Sequence, residues 1–326
     1  MLKPLALRAA RLIEGGLERI GDRPDDQPVL DPYYGYATPD GVVLRGRVLT
    51  ELRRAQPEET QHVWENLKQM VGLFVTDEVE GVHVRGGGAE AISDAEGYVR
   101  LTVPGDFSPG WTIVPVAIEG QEPVPFPALV PGPEATHMVI SDIDDTVVET
   151  GAHSLARNLW TTFTGSALTR AAFGDAVHLL EAMSDEERNP VFYVSSSPWN
   201  MHHFLETLFS HLGIPRGPKF LRDLGITDEG FSEAHGLHKG HAIDVLMAAN
   251  PRLPAFLMGD TGQHDAQVYR EAVERHPGRV RGVALRESVP GASGDDADCI
   301  AAIEAAGVPC HHGPSFNGAL KTWGLA

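Results

Sequence analysis

Asp142 and Asp144 stand two residues apart at the end of the apolar run Met138-Val139-Ile140, with Thr146 just beyond. In an extended chain an i, i+2 pair projects both side chains to one face. Two carboxylates so placed offer a nucleophile, a neighbouring acid and oxygen ligands for a hard cation. An isolated pair would more often just solvate a turn, because Asp hydrogen-bonds nearby backbone. Three downstream segments change that balance.

The run Val191-Phe192-Tyr193-Val194 ends on Ser195-Ser196-Ser197-Pro198. A hydroxyl at such a strand end, Ser195 first, could donate to a phosphate oxygen. Ser196 or Ser197 could equally cap a helix starting near Asn200. Lys239 opens the helical pattern Ala242, Ile243, Val245, Leu246, Ala249. A lysine at a helix N-terminus opposes the helix dipole unless an anion sits beside it. Phe256-Leu257-Met258 runs into Gly259-Asp260, and Asp265 follows five residues later. Carboxylates of this kind suit Mg²⁺, which binds through one or two of them plus water and substrate phosphate.

The elements that must position these residues alternate. Strands are expected near 137–141, 191–195, 218–221, 254–258 and 280–285, with helices near 167–183, 200–211, 239–249 and 264–275. That is an α/β, doubly wound pattern with a parallel sheet. In such sheets the C-terminal strand ends converge on one crevice, which gathers all four polar segments. The short gaps from Asp144 to Ser195 and from Ser195 to Lys239 hold no large cap domain. Trp160, Phe163 and Trp199 are candidates for the crevice rim or, equally, for the core.

The order Asp-x-Asp-x-Thr, Ser, Lys, Gly-Asp-x-x-x-x-Asp resembles the haloacid dehalogenase superfamily of aspartate-nucleophile phosphotransferases. Ser195–Asn200, Leu221-Arg222-Asp223, Gly259–Asp265 and Pro277–Val280 are similar to the catalytic domain of the actin-patch-associated, Mg²⁺-dependent phosphatidate phosphatases. Tyr33-Tyr34-Gly35-Tyr36 and Leu44–Leu49 resemble that family's lead-in domain. The resemblance implies a Rossmann-like catalytic domain, Mg²⁺ as cofactor and a phosphomonoester substrate, foremost a lipid phosphate. It implies Asp142 as nucleophile, Asp144 as acid and base, and Ser195 and Lys239 as phosphoryl-binding groups. Metal ligands would be Asp142, Asp260 and the main-chain carbonyl of Asp144. Thr146, Ser196 and Asp265 would support them, Asp265 by orienting water or holding Lys239. Asp145 would face the other way and be structural. Left open are the same chemistry on a soluble phosphoester, phosphoprotein or nucleic-acid end, and a non-catalytic lipid- or protein-binding adaptor.

The formal net charge of −19 argues against nucleic-acid binding, which needs basic surface to displace counterions. The same charge opposes an anionic substrate, so Mg²⁺ and Lys239 must reverse the local sign. Cys299 and Cys310 lack metal-ligand spacing, and two thiols fit a reducing compartment, with a single bridge left open. Without an 18-residue apolar run or a signal-peptide pattern, the sequence reads as cytoplasmic, with at most weak peripheral membrane contact.

Upstream, residues 1–30 read as an amphipathic helix with Leu5, Leu12 and Ile13 on its stripe, followed by a linker. Lys3, Arg8, Arg11 and Arg19 on the other face could meet an anionic bilayer, although packing on the protein is the commoner fate. Residues 31–132 read as a β-rich, sandwich-like domain interrupted by a helix over 57–72 and carrying no chemistry. Pro131-Gly132-Pro133 marks its boundary, and 133–326 form the catalytic domain.

Overall fold

The computed structural model describes residues 27–50, 78–149, 172–222, 233–287 and 294–325. The expected helices over 1–20 and 57–72, together with Trp160, Phe163 and Asp223, lie outside the described residues.

The first seven strands are β1 (Val29–Thr38), β2 (Gly41–Leu49), β3 (His83–Gly86), β4 (Ala89–Ile92), β5 (Tyr98–Pro104), β6 (Gly110–Ile118) and β7 (Val124–Val130). They form one hydrogen-bonded sheet in the order β4-β3-β6-β7-β1-β2-β5, where a sandwich was expected. Its end strands β4 and β5 lie against one another, so the sheet curls around Leu44, Leu101, Val116 and Phe126. Alternation is clearest in β5, where Val99, Leu101 and Val103 are buried and Arg100 and Thr102 exposed. β1 carries an irregularity between Tyr33 and Tyr36, and Gly35 sits inside it. A Cβ there would lie 2.3 Å from the Val43 carbonyl oxygen, so only glycine lets the two strands approach.

The second sheet is built from β8 (Met138–Ser141), β9 (Val191–Pro198), β10 (Lys219–Arg222), β11 (Ala255–Asp260), β12 (Val280–Arg286) and β13 (Cys310–Gly313). All its pairings are parallel, in the order β10-β9-β8-β11-β12-β13. β8 and β11 are buried at every position, as strands covered on both faces must be. On one face pack α1 (Gly174–Ser184) and α2 (His202–Leu212); on the other pack α3 (Glu233–Ala249), α4 (Asp265–Arg275) and α5 (Gly294–Ala305). The short α6 (Ala319–Thr322) joins the first layer through Ala319. Strand order reverses between the central neighbours β8 and β11, which opens a crevice at their C-terminal ends.

Several expectations shift. The helix expected over 167–183 begins only at Gly174, because Ala172 bridges Val148 and the Phe173 amide donates to the Val147 carbonyl. β9 runs on to Pro198, three residues past its expected end. The α5 helix, Gly294–Ala305, comes after the four expected in this region. β13 adds a sixth strand to the five expected; His311 bonds the Ser315 carbonyl and His312 bonds Glu287. Cys299 and Cys310 are buried and unbridged. Among the described residues no helix is long and apolar enough to cross a membrane.

Candidate active site

β8 ends at Ser141, and the Asp142 amide still donates to the Met258 carbonyl of β11. Beyond it the chain leaves the extended conformation. Val147 and Val148 both donate to the Ile143 carbonyl, and Asp145 takes a positive φ of 56°. Asp tolerates that left-handed region better than most residues. Asp145 therefore sits in a turn, not on the opposite face of a continuing strand. Thr146 is fully buried and its hydroxyl donates to Asp142 Oδ2 at 3.1 Å, locking that carboxylate.

Asp142, Asp260 and Asp265 meet at the switch point. All three are buried, and one oxygen from each falls within 4.8 Å of the others. Lys239 Nζ lies 2.9 Å from Asp142 Oδ1 and 2.5 Å from Asp265 Oδ1. Asp265 Oδ2 accepts the Asp260 amide at 3.2 Å, and Asp260 Oδ2 accepts the Gly262 amide at 2.7 Å. Gly259 makes room for this: a Cβ there would lie 2.4 Å from Asp265 Oδ2 and 2.7 Å from the Tyr269 hydroxyl oxygen.

Lys239 does not open its helix. α3 begins at Glu233, so Lys239 lies well inside it, and the helix-dipole argument does not apply. Its ammonium is fixed by two carboxylates instead. Burial alone would drive its proton off, but Asp142 and Asp265 more than offset this and hold the amine protonated above its usual range.

The carboxylates are under strain of charge. Burial, opposed by Lys239 and reinforced by Asp265, Asp144 and Asp260, pushes Asp142 well above the carboxylate range. Burial and then Asp265 push Asp260 up to about 8. Three buried carboxylates facing one ammonium leave negative charge uncompensated, which is costly in a dry interior. A hard divalent cation, whose preferred ligands are carboxylate oxygens, fits that donor set.

Asp144 belongs to a second cluster. Its Oδ2 accepts the hydroxyls of Ser195 at 2.7 Å and Ser197 at 3.0 Å, while its buried Oδ1 has no hydrogen-bond partner among the described residues. Burial raises its pKa to about 6, with the two serines pulling the other way. The Ser197 amide donates back to Ser195 Oγ at 2.9 Å. The single hydroxyl proton of Ser195 thus goes to Asp144. Neither Ser196 nor Ser197 caps a helix: the Trp199–Met201 turn and α2 have no side-chain cap. Ser196 Oγ is buried without a hydrogen-bond partner among the described residues. Strand alternation turns it, like Phe192 and Val194, toward the layer containing α3. The Asp144 carbonyl accepts Gln263 Nε2 at 3.2 Å. Trp199 is 9% exposed and stacked on Tyr33, which makes it a core residue. Ser197 and Gln263 were missed in the sequence. The i, i+2 relation of Ser195 and Ser197 was the available signal for the first.

Residues 137–287 match the family model "Phosphatidate phosphatase APP1, catalytic domain". Phosphatidate phosphatase APP1 of Saccharomyces cerevisiae is 27% identical over 205 residues, 60% of this chain and 34% of that protein. An uncharacterized protein of Schizosaccharomyces pombe is 25% identical over 150 residues, 46% of this chain and 25% of that protein. The alignments thus span a quarter to a third of these relatives. A chain of the Pnkp1/Rnl/Hen1 complex aligns with a TM-score of 0.32 and 14% identity over 52% of this chain and 55% of that one, too loosely to carry an argument.

Proposed function

We propose, from the match of residues 137–287 to the family model of the phosphatidate phosphatase APP1 catalytic domain, that this chain is a Mg²⁺-dependent phosphatase that cleaves phosphatidate through an aspartyl-phosphate. The observation that carries the chemistry is the separation of the two carboxylates. Asp142 is held among Lys239, Thr146 and two further carboxylates, while Asp144 is held apart by two serines. A nucleophile and a proton carrier need these different surroundings.

In this reading Asp142 attacks phosphorus and the P–O bond to the lipid alcohol breaks. A carboxylate nucleophile splits one hard displacement into two easier ones. Asp144 gives its proton to the departing alkoxide and then takes one from the water that cleaves the aspartyl-phosphate. Lys239 offsets charge on Asp142 and on the transferring phosphoryl oxygens. Ser195 fixes Asp144, and the uncommitted hydroxyl of Ser196 is free to donate to a phosphoryl oxygen. Asp142, Asp260 and the Asp144 carbonyl, with Asp265 beside them, would hold Mg²⁺, which supplies the positive charge that lets two anions approach.

The test is phosphate release by the full chain, with and without Mg²⁺, from phosphatidate in mixed micelles and from soluble alkyl phosphates in parallel. Mg²⁺-dependent release that favours phosphatidate is the expected result. Release only from soluble phosphates would overturn the lipid assignment and leave the chemistry. No release from any phosphomonoester would overturn both.

A further inference from the structure

The paired strands β1 and β2 place four side chains on one face. Asp31 stands opposite Arg47, and Tyr33 opposite Arg45. All four meet the chain between Trp199 and His203, which directly follows Ser197-Pro198. Tyr33 stacks on Trp199, with ring centroids 4.8 Å apart and planes 10° from parallel. The Arg45 guanidinium carbon lies 5.1 Å from the Trp199 ring centroid. Arg47 Nη1 donates to Asn200 Oδ1 at 2.9 Å, and Asp31 Oδ1 pairs with His203 Nε2 at 2.5 Å. Asp31, Tyr33 and Arg47 are each no more than 4% exposed, so these contacts are built into the interior.

Arg47 is the most constrained of the four. Its Nε donates to the Glu96 carbonyl and its Nη2 to Glu78 Oε1, both at 2.7 Å, so all three nitrogens are engaged. One end of this guanidinium is anchored in the curled sheet and the other grips Asn200. Between Asn200 and Ser197 lie only Pro198, whose ring fixes φ, and Trp199, which is clamped by Tyr33 and Arg45. The serines therefore inherit their position from the first sheet, and they hold Asp144 by one oxygen.

We infer that Arg47 is a positioning residue: acting through Asn200 and the Ser195–Ser197 pair, it fixes the carboxyl of Asp144 where the alcohol leaves. This rests on the role proposed above for Asp144. It gives the Tyr33–Tyr36 and Leu44–Leu49 segments a task in catalysis, where the sequence assigned that domain no chemistry.

Leaving groups separate this role from plain structural support. An alkyl alkoxide needs a proton as it departs, whereas 4-nitrophenolate is stable without one. First-turnover release of the alcohol, measured by rapid quench with saturating substrate, isolates that step from hydrolysis of the aspartyl-phosphate. Arg47→Lys keeps the charge but loses the three-way grip. Asn200→Ala leaves Arg47 bound to Glu96 and Glu78 and guards against a folding defect.

In both variants the alkyl phosphate should react on the order of tenfold slower, with half-saturation unchanged, while 4-nitrophenyl phosphate stays within about twofold. Ser197→Ala should show the same split, and adding Asn200→Ala to it should cost nothing more. Equal slowing of both substrates, no slowing of either, or additive losses would overturn the inference. Wild-type protein inactive on both substrates would overturn the proposed function itself.

Discussion

The Lys239 ammonium stands 2.9 Å from Asp142 Oδ1, both groups buried, and so pairs the strand-end carboxylate with a cation from the interior of a helix. Removing one member of such a pair leaves the other charge buried without compensation. Lys239→Met should therefore lose phosphatase activity and about 3 kcal/mol of stability in EDTA. Urea unfolding checks this. Added Mg²⁺ should recover part of the loss, because a divalent cation compensates the same carboxylates; unchanged unfolding midpoints would contradict the role of the pair.

Stability without divalent ions should fall as pH rises. Asp260 titrates near 8 in the folded protein against an ordinary 3.8, so the native state binds more protons than the unfolded state between those values. The slope of unfolding free energy with pH is then negative across that window. Denaturant midpoints in EDTA should drop between about pH 5 and about pH 8, and less steeply in Asp260→Asn, which cannot ionise there. Saturating Mg²⁺ should flatten the wild-type curve. Identical slopes for wild type and Asp260→Asn would refute this.

Gly259 lets Asp265 and Tyr269 close on the end of β11. Gly259→Ala places a methyl group 2.4 Å from Asp265 Oδ2. The carboxylate must move, at a cost of about 1–3 kcal/mol by the usual scale of overpacking. The Mg²⁺ concentration for half-maximal activity should rise with it. Thermal unfolding and a Mg²⁺ titration read the two effects, and a wild-type titration curve would argue against Asp265 serving the cation site.

Much of this site was legible because strand ends announce themselves. Asp142, Asp144, Asp260 and Asp265 each follow or close an apolar β run, and the parallel sheet brings such ends together. Lys239 was singled out as a cation opening a helix and needing an anion beside it; the anions are Asp142 and Asp265, but α3 starts six residues earlier, at Glu233, so the dipole is not the reason. The environment of Asp144 was not readable, since nothing in the order of three serines says which hydroxyl turns toward it. β13 escaped because four residues with two histidines carry little apolar signal. The grip of Arg47 on Asn200 joins residues 153 positions apart, and local pattern holds no trace of it.

Activity should require a hard divalent cation, with Mg²⁺ best. Ca²⁺ accepts looser and higher coordination and so should serve poorly. Assays in EDTA with back-titration of each metal decide this, and full turnover in excess EDTA would rule out the cation site among Asp142, Asp260 and Asp265.

The central claim is that Asp142 carries the phosphoryl group. Phosphatidate labelled in its phosphate, mixed with enzyme and Mg²⁺ and quenched in acid during the first turnover, tests it directly. The account predicts label on the protein that is stable to acid and released by hydroxylamine, mapping to the peptide that holds Asp142 and absent from Asp142→Asn. Turnover without labelled protein at any time, or label on a peptide lacking Asp142, would contradict it.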